Sequence, residues 1–377
     1  MANLYIGLMS GTSIDGIDAV LVDFQNSQSK IIASHSIDFD KETKALLHSL
    51  CSPSDGEIDK AGIAKNRLVE HEARVVNELL AKENISPSDV IAIGSHGQTL
   101  RHRPELGFTL QLDDGALLAA KTNIDVICDF RSADIAHGGN GAPLAQAFHR
   151  MQFGCDEVSL VLNLGGISNL TVIDKDDNHT ILEAFDCGPA NTLIDAACRL
   201  LLNLPYDKDG LIAKSGLVVP DVLAKFLQDP YLQLPPPKST GREDFSLDFI
   251  KDELLVATQN NDFIPDLIAT LTEFTVVANV NAIRHCIYKH KIESARLILC
   301  GGGAYNPIFK ERFEKALSRN HVSVVIADEL GVDAKLLEAH TFAYFAYKFT
   351  KRECIDLCDS TGAKKPSILG CLYPATK

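Results

Sequence analysis

Two stretches of the chain share one hydrophobic pattern, about half a chain apart. Residues 4–9 are an apolar run, residues 10–16 are small and polar, and residues 17–23 are a second apolar run that ends on Asp23. Residues 160–164, the pair Gly165-Gly166 and residues 167–174 repeat that order and again end on an acid. Each stretch predicts a strand, a tight turn and a second strand, and the recurrence is what a duplicated unit leaves behind. A third glycine turn follows residues 297–300, where Gly301-Gly302-Gly303 leads to Asn306-Pro307 and a helical pattern.

Between these landmarks, Leu68, Val69, Ala73, Val76, Leu79 and Leu80 have helical spacing, and the pattern over 63–82 stops at Asn84 and Pro87. Residues 90–94 read as a short buried strand running into Ser95-His96-Gly97-Gln98-Thr99. Polar groups at a strand's C-terminal end are where open α/β sheets place ligands. Residues 125–130 repeat the arrangement and deliver Arg131 and Asp134 to the same side. The glycines Gly138, Gly139 and Gly141 then suggest a hinge, taken as the lobe boundary. Beyond it the pattern predicts strands over 160–163, 170–173, 181–185, 297–300 and 322–326. Helices are predicted over 191–202, 265–289 and 332–351. Strands alternating with helices give an α/β fold with mixed sheets.

At 377 residues and 46% hydrophobic content, the chain exceeds one ordinary core and should form two lobes. Its formal charge of −14 argues against nucleic acid or an anionic membrane as partner. The N-terminus lacks the pattern of a signal peptide, and no apolar run reaches membrane-spanning length. Ten cysteines are scattered singly without a C-x-x-C pair, which suits reduced thiols in the cytoplasm and disfavours zinc.

The first turn can hold phosphate. Gly11 and Gly16 free backbone N–H groups to converge, Thr12 and Ser13 add hydroxyls, and Asp15 and Asp18 can orient a divalent metal. No lysine follows the glycines, so this is not a P-loop, and no G-x-G-x-x-G opens a helix. An ordinary buried hairpin is the alternative. Asp186, between an apolar strand and Gly188, suits a general base, or else an acid favoured near a helix start. His96 and Thr99 can hold substrate hydroxyls and Arg131 a carboxylate, although a histidine at a strand end also serves as a structural hydrogen bonder. Glu338 has the apolar neighbours Leu337, Ala339 and Phe342 and faces either a cleft or solvent. Residues 235–245 read as a rigid polyproline linker or, through Lys238 and Arg242 around Ser239-Thr240-Gly241, as an anion or sugar contact.

Two phosphate hairpins with a glycine turn beside a helix start resemble the ground plan of the actin-like ATPase and sugar kinase superfamily. Six motifs in order are similar to one family within it, the 1,6-anhydro-N-acetylmuramic acid kinases. They span residues 9–18, 94–99, 129–134 with the following glycines, 163–169, 185–191 and 235–242. The chain departs from that pattern in having Asn140 for Gln and Leu144-Ala145-Gln146 for Leu-Val-Pro.

The resemblance implies two actin-like, ribonuclease H-like lobes with mixed sheets flanked by helices and nucleotide in the interlobe cleft. The lobes are expected at 1–134 plus about 365–377, and at 135–364. ATP and Mg²⁺ are the implied cofactors. Nucleotide would contact Gly11, Thr12, Ser13, Ile14, Asp15, Gly16, Ile17, Asp18, Gly165, Gly166, Gly301, Gly302, Gly303 and Asn306. Asp15 and Asp18 would hold Mg²⁺ through water, and His96, Gly97, Thr99, Arg131 and Glu338 would contact the amino sugar. Asp186 would be the base in a reaction that opens the anhydro bridge with water and phosphorylates O6, giving N-acetylmuramic acid 6-phosphate and ADP in cell-wall recycling. A cytoplasmic homodimer with lobe closure is also implied. The rivals are a plain sugar kinase and an actin-like ATPase switch; a chaperone of the latter kind would need a peptide-binding domain, for which no residues remain.

Overall fold

The structure is a computed structural model that describes residues 3–11, 14–25, 28–236, 238–241 and 244–376. Thirteen strands are present among them. They are β1 (Leu4–Met9), β2 (Gly16–Gln25), β3 (Gln28–Asp38), β4 (Val90–Ser95), β5 (Gln98–Arg103), β6 (Phe108–Leu112), β7 (Val126–Cys128), β8 (Val158–Leu164), β9 (Ile167–Ile173), β10 (Ile181–Pro189), β11 (Ala295–Cys300), β12 (Val322–Ile326) and β13 (Cys371–Tyr373).

The chain divides into two compact units, Met1–Phe148 with Leu336–Lys377, and His149–Lys335. The first holds a six-stranded sheet in the order β13-β7-β4-β1-β2-β3 and a separate β5-β6 hairpin. The second holds a five-stranded sheet in the order β10-β9-β8-β11-β12. In both, three antiparallel strands are followed by two parallel ones: β3-β2-β1 then β4 and β7, and β10-β9-β8 then β11 and β12. One topology built twice is the duplication that the two hydrophobic patterns predicted. It is the mixed, helix-flanked sheet of ribonuclease H-like lobes.

The division falls at 148/149 and 335/336 rather than at the expected 134/135 and 364/365. The reason is the helix Leu337–Thr350, which packs on β1, β4 and β2. Gly7 and Gly94 face each other across the β1–β4 register. A Cβ on Gly7 would stand 1.9 Å from the Ala339 carbonyl oxygen, and one on Gly94 would stand 2.1 Å from that of Phe342. Two bare backbone positions thus let the helix lie directly on the sheet, burying Ala339, Phe342, Ala343 and Phe345. That helix is shorter than the predicted 332–351. Gly331 adopts a left-handed conformation, and the amides of Ala334 and Lys335 bond to the carboxylates of Asp328 and Asp333 instead of continuing a helix.

The second unit is built on the helix Ile264–Lys289, packed against β10 and five neighbouring helices. The surrounding stretch Asn261–Lys289 is long and apolar enough to cross a membrane, but 72% of its apolar window is buried among its own neighbours, as in a core helix. All ten cysteines are free thiols.

Candidate functional site

β1 delivers Ser10 and Gly11 to the first turn, and β5 ties them down. Ser10 Oγ donates to Gln98 Oε1 at 2.5 Å, and Gln98 Nε2 donates to the Gly11 carbonyl at 3.3 Å. Ile14 closes the turn through its amide to the Gly11 carbonyl at 3.1 Å, in a left-handed backbone (φ 57°) that a β-branched residue seldom adopts. Burial of its side chain at 1% exposure holds that strain. Ile17 is buried as well, so it can offer a ligand only its backbone. Thr12 and Ser13 lie outside the described residues.

Asp15 is exposed, with Lys44 Nζ 3.9 Å away, and Asp18 accepts from Ser36 Oγ at 2.5 Å. No group of three metal-ligating side chains exists among the described residues. Two carboxylates without a cage fit Mg²⁺ that keeps its waters and leans on phosphate oxygens; they do not fit a metal held by protein alone.

His96 and Arg131 meet in the same unit. Gly97 takes φ +68°, a Cβ there would stand 2.4 Å from the Leu112 carbonyl oxygen, and its carbonyl accepts from His96 Nδ1 at 2.9 Å. With that nitrogen protonated, His96 Nε2 accepts from Arg131 Nη2 at 2.9 Å. Burial, and then the Arg131 charge, push the His96 imidazole down to about 3, so it stays neutral. Arg131 Nη1 donates to the Gly141 carbonyl at 2.7 Å, while its buried Nε–H has no partner. Burial lowers Arg131 to about 10, opposed by the charges of Glu338 and Asp134. A cation fixed at two corners with an unpartnered N–H is suited to an anionic ligand. Thr99 Oγ1 accepts from Gln111 Nε2 at 3.1 Å and keeps its own hydrogen to donate. Glu338 stands exposed in the first turn of its helix rather than buried.

In the second unit Asp186 lies on β10, which runs on to Pro189 with a register shift between Asp186 and Gly188. The proline-rich segment is a strap across it. Ser239 Oγ donates to Asp186 Oδ2 at 2.8 Å, and the Thr240 amide donates to the same oxygen at 3.1 Å. The Asp186 amide bonds to the Lys238 carbonyl at 3.2 Å, and Tyr231 Oη donates to the Asp186 carbonyl at 2.7 Å. Lys238 Nζ lies 4.6 Å over the Tyr231 ring and donates to the carbonyls of Tyr231 and Leu232. Burial raises the Asp186 carboxyl above its ordinary value, against the lowering by Ser239, Thr240 and Lys238. A strand-held carboxylate with one oxygen occupied and a raised pKa has the properties of a general base. The run Pro-Pro-Pro-Lys-Ser-Thr-Gly was the sequence signal for the strap, but its pairing with Asp186 was not visible there. Pro237, Arg242 and Glu243 lie outside the described residues.

The glycine turns of this unit pack together. The carbonyls of Gly165 and Gly166 accept from the amides of Ala190, Asn191 and Thr192, and Asn191 Nδ2 donates to the carbonyls of Leu164 and Gly165. Gly301 (φ +78°) would bring a Cβ within 2.3 Å of Asn163 Oδ1, whereas Gly302 faces open space. Gly165 also faces mostly open space, its nearest neighbour being the Ile167 carbonyl at 3.5 Å, and its φ is not left-handed. Asn306 Oδ1 accepts from the Ile308 amide at 3.1 Å, so its side chain caps the helix Pro307–Leu317.

Residues 3–375 match the family model described as anhydro-N-acetylmuramic acid kinase. A relative named anhydro-N-acetylmuramic acid kinase from Burkholderia vietnamiensis is 42% identical over 375 residues, covering 98% of this chain and 96% of the relative. One of the same name from Shewanella pealeana is 42% identical over 376 residues, covering 99% of each. Among solved structures, the activator of 2-hydroxyisocaproyl-CoA dehydratase from Clostridium difficile with bound ADPNP aligns with a TM-score of 0.47 at 13% identity, covering 93% of this chain and 96% of that one. The chain belongs to the anhydro-N-acetylmuramic acid kinase family.

Proposed function

We propose that this family member, a phosphotransferase with an alcohol acceptor, opens the 1,6-anhydro bridge of N-acetylmuramic acid with water and phosphorylates the freed O6 from ATP. The observation that carries the reading is the state of Asp186: Oδ2 is taken by Ser239 and Thr240, while Oδ1 has no hydrogen bond from the described residues. Oδ1 takes a proton from the water that attacks C1, the C1–O6 bond breaks, and O6 attacks the γ-phosphorus as ADP leaves. Coupling the two displacements spares O6 from departing as a free alkoxide. The raised pKa of Asp186 makes it a better proton acceptor than an ordinary carboxylate.

His96, Gly97, Thr99 and Glu338 are the proposed contacts to sugar hydroxyls and amide, and Arg131 the contact to the carboxylate. Support comes from the neutral His96 that braces Arg131 and from the unpartnered Arg131 Nε–H. The turn at residues 11–18, Gly165, Gly166, residues 301–303 and Asn306 are the proposed nucleotide contacts. Mg²⁺, held through water by Asp15 and Asp18, would neutralise phosphate charge. For Asn306 the part left free for a ligand is its backbone, since its side chain is a cap. A cytoplasmic homodimer is the proposed setting, the ten free thiols supporting a reducing compartment.

Incubation with Mg-ATP and the anhydro sugar in ¹⁸O water tests the reaction. One label at C1 and one phosphate on O6 are expected. A phosphorylated product that keeps its anhydro bridge would replace this reading with that of a plain sugar kinase.

A further inference from the structure

Arg131 is anchored at the Gly141 carbonyl, and the loop that carries Gly141 is held from far along the chain. Asp134 is 1% exposed, yet both of its carboxylate oxygens are hydrogen-bonded. Oδ2 accepts from the Gly141 amide at 2.8 Å, and Oδ1 accepts from Thr361 Oγ1 at 2.7 Å, across 227 residues of sequence. The Thr361 hydroxyl also lies 3.0 Å from the Leu357 carbonyl, but it has one hydrogen, and the shorter contact to a charged acceptor is the stronger. Around this pair the C-terminal segment clasps the glycine loop. The Asn140 amide bonds to the Thr361 carbonyl at 2.8 Å, and the Lys364 amide to the His137 carbonyl at 2.9 Å. Contact is so close that a Cβ on Gly139 would stand 2.2 Å from Asp134 Oδ2 and 2.8 Å from Thr361 Oγ1.

We infer that Thr361 is a positioning residue for sugar binding, acting through Asp134 and Gly141 on the guanidinium of Arg131. This rests on the proposed contact between Arg131 and the sugar carboxylate. Without the Thr361 hydroxyl, Asp134 Oδ1 is a buried acceptor lacking its donor, and the carboxylate must turn to recover one. Turning releases the Gly141 amide, and with it the carbonyl that fixes one corner of the guanidinium. Such a shift misplaces an oriented contact without touching nucleotide or base. Its signature is therefore selective: the sugar is bound less well, and ATP as well as before.

Thr361→Val keeps the side-chain shape and removes the hydroxyl, and Thr361→Ser restores it. We expect Thr361→Val to raise KM for the anhydro sugar about tenfold, with KM for Mg-ATP and kcat within about twofold of the parent, and Thr361→Ser to recover most of the loss. An unchanged sugar KM in a folded Thr361→Val protein overturns the inference, as does an equal rise in both KM values. If Thr361→Val does not accumulate folded, Asp134→Asn, which keeps shape and loses charge, faces the same two outcomes. Arg131→Gln separates this inference from the reading beneath it. If Arg131→Gln leaves the sugar KM unchanged, the carboxylate contact itself is wrong. If Arg131→Gln raises it and Thr361→Val does not, only the positioning role fails.

Discussion

Ser239 Oγ and Asp186 Oδ2 are 2.8 Å apart, and the bond between them leaves the other carboxylate oxygen available for the role of base proposed above. The same bond holds down a pKa that burial raises. Ser239→Ala removes a lowering influence, so the Asp186 carboxyl should titrate still higher. Only the deprotonated form accepts a proton. The acid limb of kcat/KM should therefore move to higher pH, with activity at pH 5 falling more than activity at pH 8. A limb that stays in place or moves down in Ser239→Ala would separate Asp186 from the rate.

Asp186→Asn keeps the size of the side chain and removes the proposed base. Turnover should fall about 10²-fold or more while Mg-ATP still raises the melting temperature as in the parent. Activity within a few-fold of the parent would move the base elsewhere, and Glu338, exposed in the first turn of its helix, would be the next to test.

Much of this was legible because hydrophobic period and turn residues are local signals. The hairpins at Gly11 and Gly165, the strand before His96 and the helix Ile264–Lys289 all follow from nearest neighbours in sequence. What escaped was long-range. Gly7 and Gly94 gave no sign that a helix more than 240 residues later in sequence would rest on them, so the boundary expected at 364/365 assigns that helix to the second lobe, whereas the compact units assign it to the first. The polyproline strap was visible as composition, but its two hydrogen bonds to the Asp186 carboxylate span 53 and 54 residues. Thr361 carried no signal at all, being one polar residue in a short C-terminal turn.

His340 is 1% exposed, packs its ring 4.6 Å from that of Phe148, and has no hydrogen-bond partner at either ring nitrogen. Burial pushes it down to about 3. Between that value and the ordinary 6.5, the unfolded chain binds a proton that the native protein does not. Its contribution to stability therefore falls as pH drops below 6.5, by about 1.4 kcal/mol per pH unit. His340→Leu removes this liability and an unsatisfied polar group together. Urea unfolding should show the variant more stable at pH 7.5, with an added advantage of about 2 kcal/mol at pH 5. The buried Glu72 and Asp113 carboxyls, raised in pKa, titrate with the opposite sign but are common to both proteins and cancel in the difference. An advantage that does not grow on acidification would mean His340 is already protonated in the fold.

The nucleotide cradle can be tested at Gly165 without first breaking the fold. Its φ is not left-handed, and an added Cβ would meet only the Ile167 carbonyl at 3.5 Å and Asn163 Nδ2 at 3.9 Å, so a valine there is tolerated by the unliganded protein. If Gly165 instead lies against phosphate oxygens, the added methyl groups occupy the space that the phosphates need. Gly165→Val should then melt within a few degrees of the parent in buffer yet lose the stabilisation that Mg-ATP confers, because that increment depends only on ligand concentration over Kd. Gly62→Val is the matched control. Gly62 sits in the helix Glu57–Glu83 with nothing within 4 Å of an added Cβ and no left-handed backbone, and it should keep the full nucleotide-dependent shift. Gly11→Val carries the same expectation for the first hairpin, and loss of the shift in both variants would show that both hairpins touch phosphate. A folded Gly165→Val protein that retains the full Mg-ATP shift would reduce the second hairpin to a structural turn and leave the first as the phosphate contact to be explained.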